Sequence, residues 1–403
     1  MIAGARTMIA TVAAPCYRRN IGLLATAQAL LLTNGVTLVA INGLLGLQLA
    51  TDQRLATLPI TTYVIGAALA ALPAALFMKR RGRRAGFMLG AAFGIAGALV
   101  SALAVVAASF WLLCLGTVFA GIYNAFGQQY RFAAVDAAPA GWTSKAISLT
   151  LAGGIVGGVI GPQVGVLTRD LLPSTFLASY LALAVLAALA MLIASRLDIP
   201  LPALGEQQAA GRPFSEIARQ PAFVVAVLAA ACGYATMNLL MTATPLAMDI
   251  CGLSFADTAF VLQWHVIGMF APSFFTGQLI KRYGVLGVLL VGAALLLLCI
   301  GIALSGVSLM HFWWALLLLG VGWNFLFVGG TTLLIETCRP EEKAKVQGSN
   351  DFIVLGVQGL TSFAAGLLVT GGGWATLSLL ALPMVSLTAL ASLGLAMSRR
   401  RQA

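Results

Sequence analysis

Residues 21–48 read IGLLATAQALLLTNGVTLVAINGLLGLQ, a run without one charged side chain. A helix needs about 20 apolar residues to cross the hydrocarbon core of a bilayer, so this run is long enough to span it. The rest of the chain repeats the pattern. Apolar runs bounded by charge, Pro or Gly predict further spans near 58–78, 85–107, 110–135, 146–168 and 174–195. After a polar stretch from Arg196 to Gln220 come six more, near 221–248, 256–280, 285–306, 312–336, 347–371 and 374–398. Composition agrees: 60% of the 403 residues are hydrophobic and 9% charged, against about 25% charged in a soluble domain. The expected fold is an all-α membrane protein of 12 transmembrane helices in two six-helix halves, residues 1–195 and 221–403, joined by a central loop at 196–220.

A net charge of +11 raises the question of a nucleic-acid partner, and the placement of Lys and Arg answers it. With alternate loops assigned to opposite sides, all 23 basic residues except Arg54 and Arg169 fall on one side. Arg6, Lys79–Arg84, Arg196, Arg212 and Arg399–Arg401 are among them. That is the bias of cytoplasmic loops. It predicts a bacterial inner-membrane protein with both termini and the central loop in the cytoplasm, a lipid bilayer as surroundings, and no nucleic acid. The stretch before Cys16 runs into Arg18 and Arg19 without a cleavage site, so the first span is expected to serve as its own insertion signal. The six cysteines show no CxxC spacing, and a disulfide framework is not expected.

The halves repeat in order. At an offset of 202, Tyr63-Val64-Ile65-Gly66-Ala67 meets His265-Val266-Ile267-Gly268-Met269, and Lys79-Arg80-Arg81-Gly82 meets Lys281-Arg282-Tyr283-Gly284. At 200, Asn124, Asp136 and Lys145 meet Asn324, Glu336 and Lys345. Parallel six-helix repeats with a central cytoplasmic loop resemble the major facilitator superfamily, whose substrate site lies between the halves. The family's Gly-x-x-x-Asp-Arg-x-Gly-Arg-Arg loop is matched by Ala75–Arg84 at Arg80, Gly82, Arg83 and Arg84. Lys79 stands where the family has Asp, and Lys281 does so in the second half. Gly157-x-x-x-Gly161-Pro162-x-x-Gly165 in the fifth span resembles the motif of drug/proton antiporters, although close helix packing explains it without any statement about export and is the preferred reading.

Ionisable residues at membrane depth are functional candidates by default, and few are present. Asp136, Glu336, Asp351 and Arg131 fall near predicted cytoplasmic ends. The seventh and eighth spans are more specific. They hold Met237-x-x-x-Met241 and His265-x-x-x-Met269, and residues so spaced share one helix face. Met241 and His265 lie about 7 and 9 residues from the outer ends, so the members of each cross-helix pair differ in depth by only about 3 Å. Two readings stay open on the residues alone: gap-filling methionines with one satisfied core histidine, or a four-ligand metal site. Thioethers and imidazole without carboxylate suit Cu(I). Cys232 and Cys251 are auxiliary candidates for transfer or reduction.

The stretch from Met237 to Gly277, with Met241-Thr242-Ala243-Thr244-Pro245, Gln263-Trp264-His265 and Met269-Phe270-Ala271-Pro272-Ser273, resembles the CcoA-like bacterial copper importers of the superfamily. The resemblance implies copper uptake for assembly of a cbb3-type cytochrome c oxidase, with Met237, Met241, His265 and Met269 as ligands and a copper chaperone as partner. Copper is then cargo, no prosthetic group is expected, and the expected state is a monomer. Relatives carrying riboflavin share the Gln-Trp and Ala-Pro-Ser framework. The alternatives are a proton-coupled drug or metabolite exporter, riboflavin uptake, or a copper-binding membrane sensor without flux. No nucleophile and base pair or phosphate loop at membrane depth suggests an enzyme.

Overall fold

The structure, a computed structural model, describes residues 14–139, 142–199, 212–339 and 342–402. Arg6 and the middle of the central loop, residues 200–211, lie outside the described residues. Among the described residues there are helices and no strands. The first half of the sequence forms α1 (Ala14–Leu49), α2 (Leu58–Arg81), α3 (Arg83–Val106), α4 (Phe110–Gly127), α5 (Tyr130–Ala137), α6 (Thr143–Thr168) and α7 (Leu177–Ala194). In the second half a short α8 (Phe214–Ala218) precedes α9 (Pro221–Ile250), α10 (Phe255–Phe270), α11 (Ser273–Tyr283), α12 (Val285–Ser305), α13 (Leu309–Glu336) and α14 (Lys343–Gln402).

Ten helical stretches among the described residues are long and apolar enough to cross a membrane, and α10 with α11, bent by 44°, forms an eleventh span. As one rod the 60 residues of α14 would reach about 90 Å, three bilayer cores. Gly373, at φ 75° and ψ 177°, divides it into two spans, which completes the expected twelve. The first helix departs from expectation by starting at Ala14 rather than Ile21. Arg18 and Arg19 continue the helix beyond the apolar run, because nothing in their side chains opposes helical backbone once the charges reach water.

Breaks occur where the backbone chemistry requires them. Pro272 lacks an N–H and interrupts the ladder between α10 and α11. Lipid offers no replacement partner, so α13 supplies one: Asn324 donates from Nδ2 to the Met269 carbonyl at 2.7 Å and to the Ser273 hydroxyl at 2.6 Å. The Thr276 hydroxyl donates back to Asn324 Oδ1 at 2.8 Å. Repeat symmetry is visible at the loops. Gly82 (φ 86°) opens α3 and Gly284 (φ 79°) opens α12, and these residues align at the offset of 202. Both use left-handed backbone that a side chain would strain.

The chain clusters into two units, residues 1–37 with 65–204, and residues 38–64 with 205–403. In the first unit, α6 packs tightly on α1. A Cβ on Gly157 would stand 2.5 Å from the Ala29 carbonyl oxygen, and the Thr37 hydroxyl donates to the Gly161 carbonyl at 2.7 Å. The fifth-span glycine motif is thus engaged in helix packing. Arg83 at the head of α3 pairs with Asp136 of α5 at 2.8 Å and also donates to Gln129, so an arginine–acid pair forms beside Lys79.

In the second unit, α9, α10 and α12 all pack along α13. The core is built from Leu240 and Leu246 of α9, Leu289 and Leu296 of α12, and Leu316 and Leu319 of α13. Thr57, ahead of α2, donates to the Ser362 carbonyl and accepts from the Gly366 N–H, each at 3.0 Å. On the basic side, fully buried Glu342 accepts from Arg212 Nε at 2.9 Å and from Nη2 at 2.8 Å. It accepts from the backbone N–H groups of Arg212 and Arg339 as well. The Arg212 hydrogen bonds hold the Glu342 carboxyl well below the usual carboxylate range.

Candidate functional site

The four side chains singled out by spacing all lie in the second unit, on α9 and α10. His265 is completely buried, with Nδ1 2.8 Å from the Leu316 carbonyl oxygen of α13. A carbonyl only accepts, so Nδ1 carries the proton and Nε2 is left as a lone pair. Nε2 has no hydrogen-bond partner among the described residues. Met237 is 5% exposed and belongs to the apolar core, while Met241 and Met269 pack against that core partly buried. Both helices run along α13 and touch each other little, so equal depth does not by itself make the two pairs neighbours.

Of the auxiliary cysteines, Cys232 is half-buried within α9 and Cys251 is exposed just beyond its end. Among the described residues no three His, Cys, Asp or Glu side chains form a group able to hold a metal.

A different set of side chains assembles at mid-helix where α9 meets α13. Trp323 and Phe327 sit one turn apart on α13, their rings stacked at 5.0 Å with a 7° interplanar angle. Tyr234 of α9 stands edge-on to both, at 5.1 Å and 5.4 Å with interplanar angles of 89°. Edge-to-face and offset arrangements at these distances are the favourable ones for aromatic quadrupoles. Tyr234 and Phe327 are half-buried, whereas Trp323 is 4% exposed. The Trp323 Nε1 donor is buried without a partner among the described residues. One turn along α9, Asn238 donates to the Gln358 carbonyl of α14 at 2.9 Å.

A second aromatic group lies further along α13, where Trp313 stacks on Phe260 at 6.4 Å and meets Trp264 edge-on at 5.6 Å. The Gln263-Trp264 pair noted in the sequence therefore contributes its indole to helix packing. Chemically, the mid-helix trio offers flat π-surfaces beside a buried indole donor, which suits a planar, hydrogen-bonding ring system better than a bare cation.

Spacing along the sequence does not single out this trio. Tyr234 is 89 residues from Trp323, and a single aromatic pair at i, i+4 is ordinary in an apolar helix. The usable signal was the Trp323-Asn324 and Phe327 grouping on one turn of a span, beside an amide that the helix break requires.

A family model described as Major Facilitator Superfamily matches residues 22–357. The riboflavin transporter RfnT of Brucella anthropi is 43% identical over 377 residues, which cover 93% of this chain and 95% of that protein. Two solved structures share the fold. One is a bacterial homologue of the human lysosomal transporter Spinster, in an inward-facing and occupied conformation, with a TM-score of 0.69 at 17% identity over 96% of this chain and 97% of that one. The other is the nucleoside transporter NupG, with a TM-score of 0.71 at 13% identity over 93% and 99%.

The relationship to RfnT overturns the copper reading. Copper import and its link to cytochrome oxidase assembly rested on resemblance carried by Met237, Met241, His265 and Met269. RfnT, which matches nearly end to end, is a riboflavin transporter. In the structure the i, i+4 spacing places each pair on one helix face, with the imidazole bonded through Nδ1 to the Leu316 carbonyl and Met237 in the core.

Proposed function

The chain belongs to the major facilitator superfamily, and from that membership we propose that it carries riboflavin into the cell by alternating access. The observation that carries this reading is the 43% identity to a riboflavin transporter across almost the whole of both chains. The aromatic trio supports it. Riboflavin presents a flat three-ring isoalloxazine system, rich in hydrogen-bond acceptors, and a polyhydroxylated chain. Tyr234 and Phe327 offer ring surfaces for stacking, and the Trp323 indole N–H, without a partner among the described residues, offers a donor. A ligand that completes a buried donor recovers what desolvation costs, about 1–3 kcal/mol.

The one-sided distribution of Lys and Arg supports an inner-membrane location with both termini in the cytoplasm. The protein then works as a transporter with the vitamin as cargo. Growth of a riboflavin-auxotrophic bacterium on limiting vitamin tests the reading. Expression of the chain is expected to restore growth at concentrations where the parent strain stops. Equal growth with and without the chain, with the protein present in the membrane, counts against it.

A further inference from the structure

The first unit carries a feature that transport of a vitamin does not require. An apolar groove of about 360 Å³ lies between α2, α3 and α4, lined by Gly66, Leu69, Pro73 and Phe77 of α2, Phe93 of α3 and Ile122 of α4, among others, with no ionisable side chain in its wall. Leu69 and Leu72, on the same stretch of α2, are 71% and 68% exposed. At membrane depth such a surface is wetted by acyl chains rather than by water.

Its dimensions fit one leaflet. From Gly66 to Phe77 the α2 axis rises about 16 Å, half of a hydrocarbon core roughly 30 Å thick. Just beyond Phe77 the helix ends in Lys79, Arg80 and Arg81, and Arg84 follows at the head of α3; all four are exposed. None of the four has an ion-pair partner among the described residues, since the nearby Asp136 is taken by Arg83. An acyl-sized groove therefore opens toward unpaired positive charge at headgroup level.

We propose that this groove and its basic end form a binding site for one anionic phospholipid, with an acyl chain along Leu69, Pro73 and Phe77 and the phosphate at Lys79, Arg80, Arg81 and Arg84. A basic cluster next to a membrane attracts anionic lipid at about 1 kcal/mol per Lys or Arg, or roughly fivefold in occupancy for each charge. The groove adds what a basic loop alone lacks, a fixed place for the chain. The inference does not depend on what the transporter carries.

Native mass spectrometry of the purified full-length chain tests it, with phosphatidylglycerol and phosphatidylcholine of identical acyl chains added in equal amounts. The expected result is preferential retention of one phosphatidylglycerol, a comparison that needs no substitution. A K79Q/R80Q/R81Q variant is expected to lose that preference by tenfold or more. Leu69→Trp, which fills the groove at an exposed position, is expected to reduce retention of both lipids. Equal retention of the two lipids by the parent chain overturns the proposal. So does retention that neither variant changes while both still melt within a few degrees of the parent.

Discussion

The side chains of greatest consequence at the residue scale are those whose hydrogen bonding is incomplete. Trp323 buries its indole N–H without a partner among the described residues, while its ring stacks with Phe327 and meets Tyr234 edge-on. If the donor serves the flavin, Trp323→Phe keeps most of the ring surface and loses one hydrogen bond. The expected rise in KM for riboflavin uptake is about tenfold, from roughly 1.5 kcal/mol. Tyr234→Ala is expected to raise KM by a similar factor through lost aromatic contact. Uptake assays over a range of vitamin concentrations check both, and unchanged KM values in both variants remove the trio from the site. His265 is expected to act in packing. His265→Ala should lower the melting temperature of the purified protein, and expression of the chain should leave cellular copper unchanged by elemental analysis. Glu342 gives the clearest pH prediction. Its carboxyl is held below the ordinary range by Arg212, so the stabilisation is complete above the ordinary carboxylate range and is lost only when acid passes through the lowered value. Glu342→Gln should therefore melt lower than the parent at pH 7, with the gap closing only in strong acid.

At the element scale, much of the plan was legible in the sequence, because each span is an apolar run closed by Arg, Lys, Gly or Pro. Lys79-Arg80-Arg81-Gly82 and Lys281-Arg282-Tyr283-Gly284 marked equivalent turns, and Gly82 and Gly284 adopt the same left-handed backbone. The bend between α10 and α11 was not foreseen as a break, since Pro272 alone is compatible with a continuous kinked helix; what fixes it is Asn324, on another helix. The candidate metal residues illustrate a related point. Spacing reports which residues share a face and is silent about the element that face meets, which for His265 is the Leu316 carbonyl. The glycine motif of α6 makes a test of packing: Gly157→Leu would drive a side chain into the Ala29 backbone, and overpacking of that kind costs about 1–3 kcal/mol. A lower melting temperature and reduced membrane yield are expected, whereas parental stability would show that α1 and α6 are not pressed together there.

For the whole molecule, the sequence repeat and the clustering of the fold divide the chain differently. The halves are related at their basic turns, yet residues 38–64 of the first half cluster with the second, through Thr57 at Ser362 and Gly366. Asp136 pairs with Arg83, whereas its counterpart Glu336 pairs with Arg399 at 3.1 Å, so the repeat has kept the acid and changed the base. The most direct measurement of the central claim is entry of radiolabelled riboflavin into liposomes containing the purified protein. The account predicts saturable entry that excess unlabelled riboflavin suppresses and that Trp323→Ala strongly reduces. Entry no faster than into protein-free liposomes, with folded protein shown in the bilayer, would contradict it.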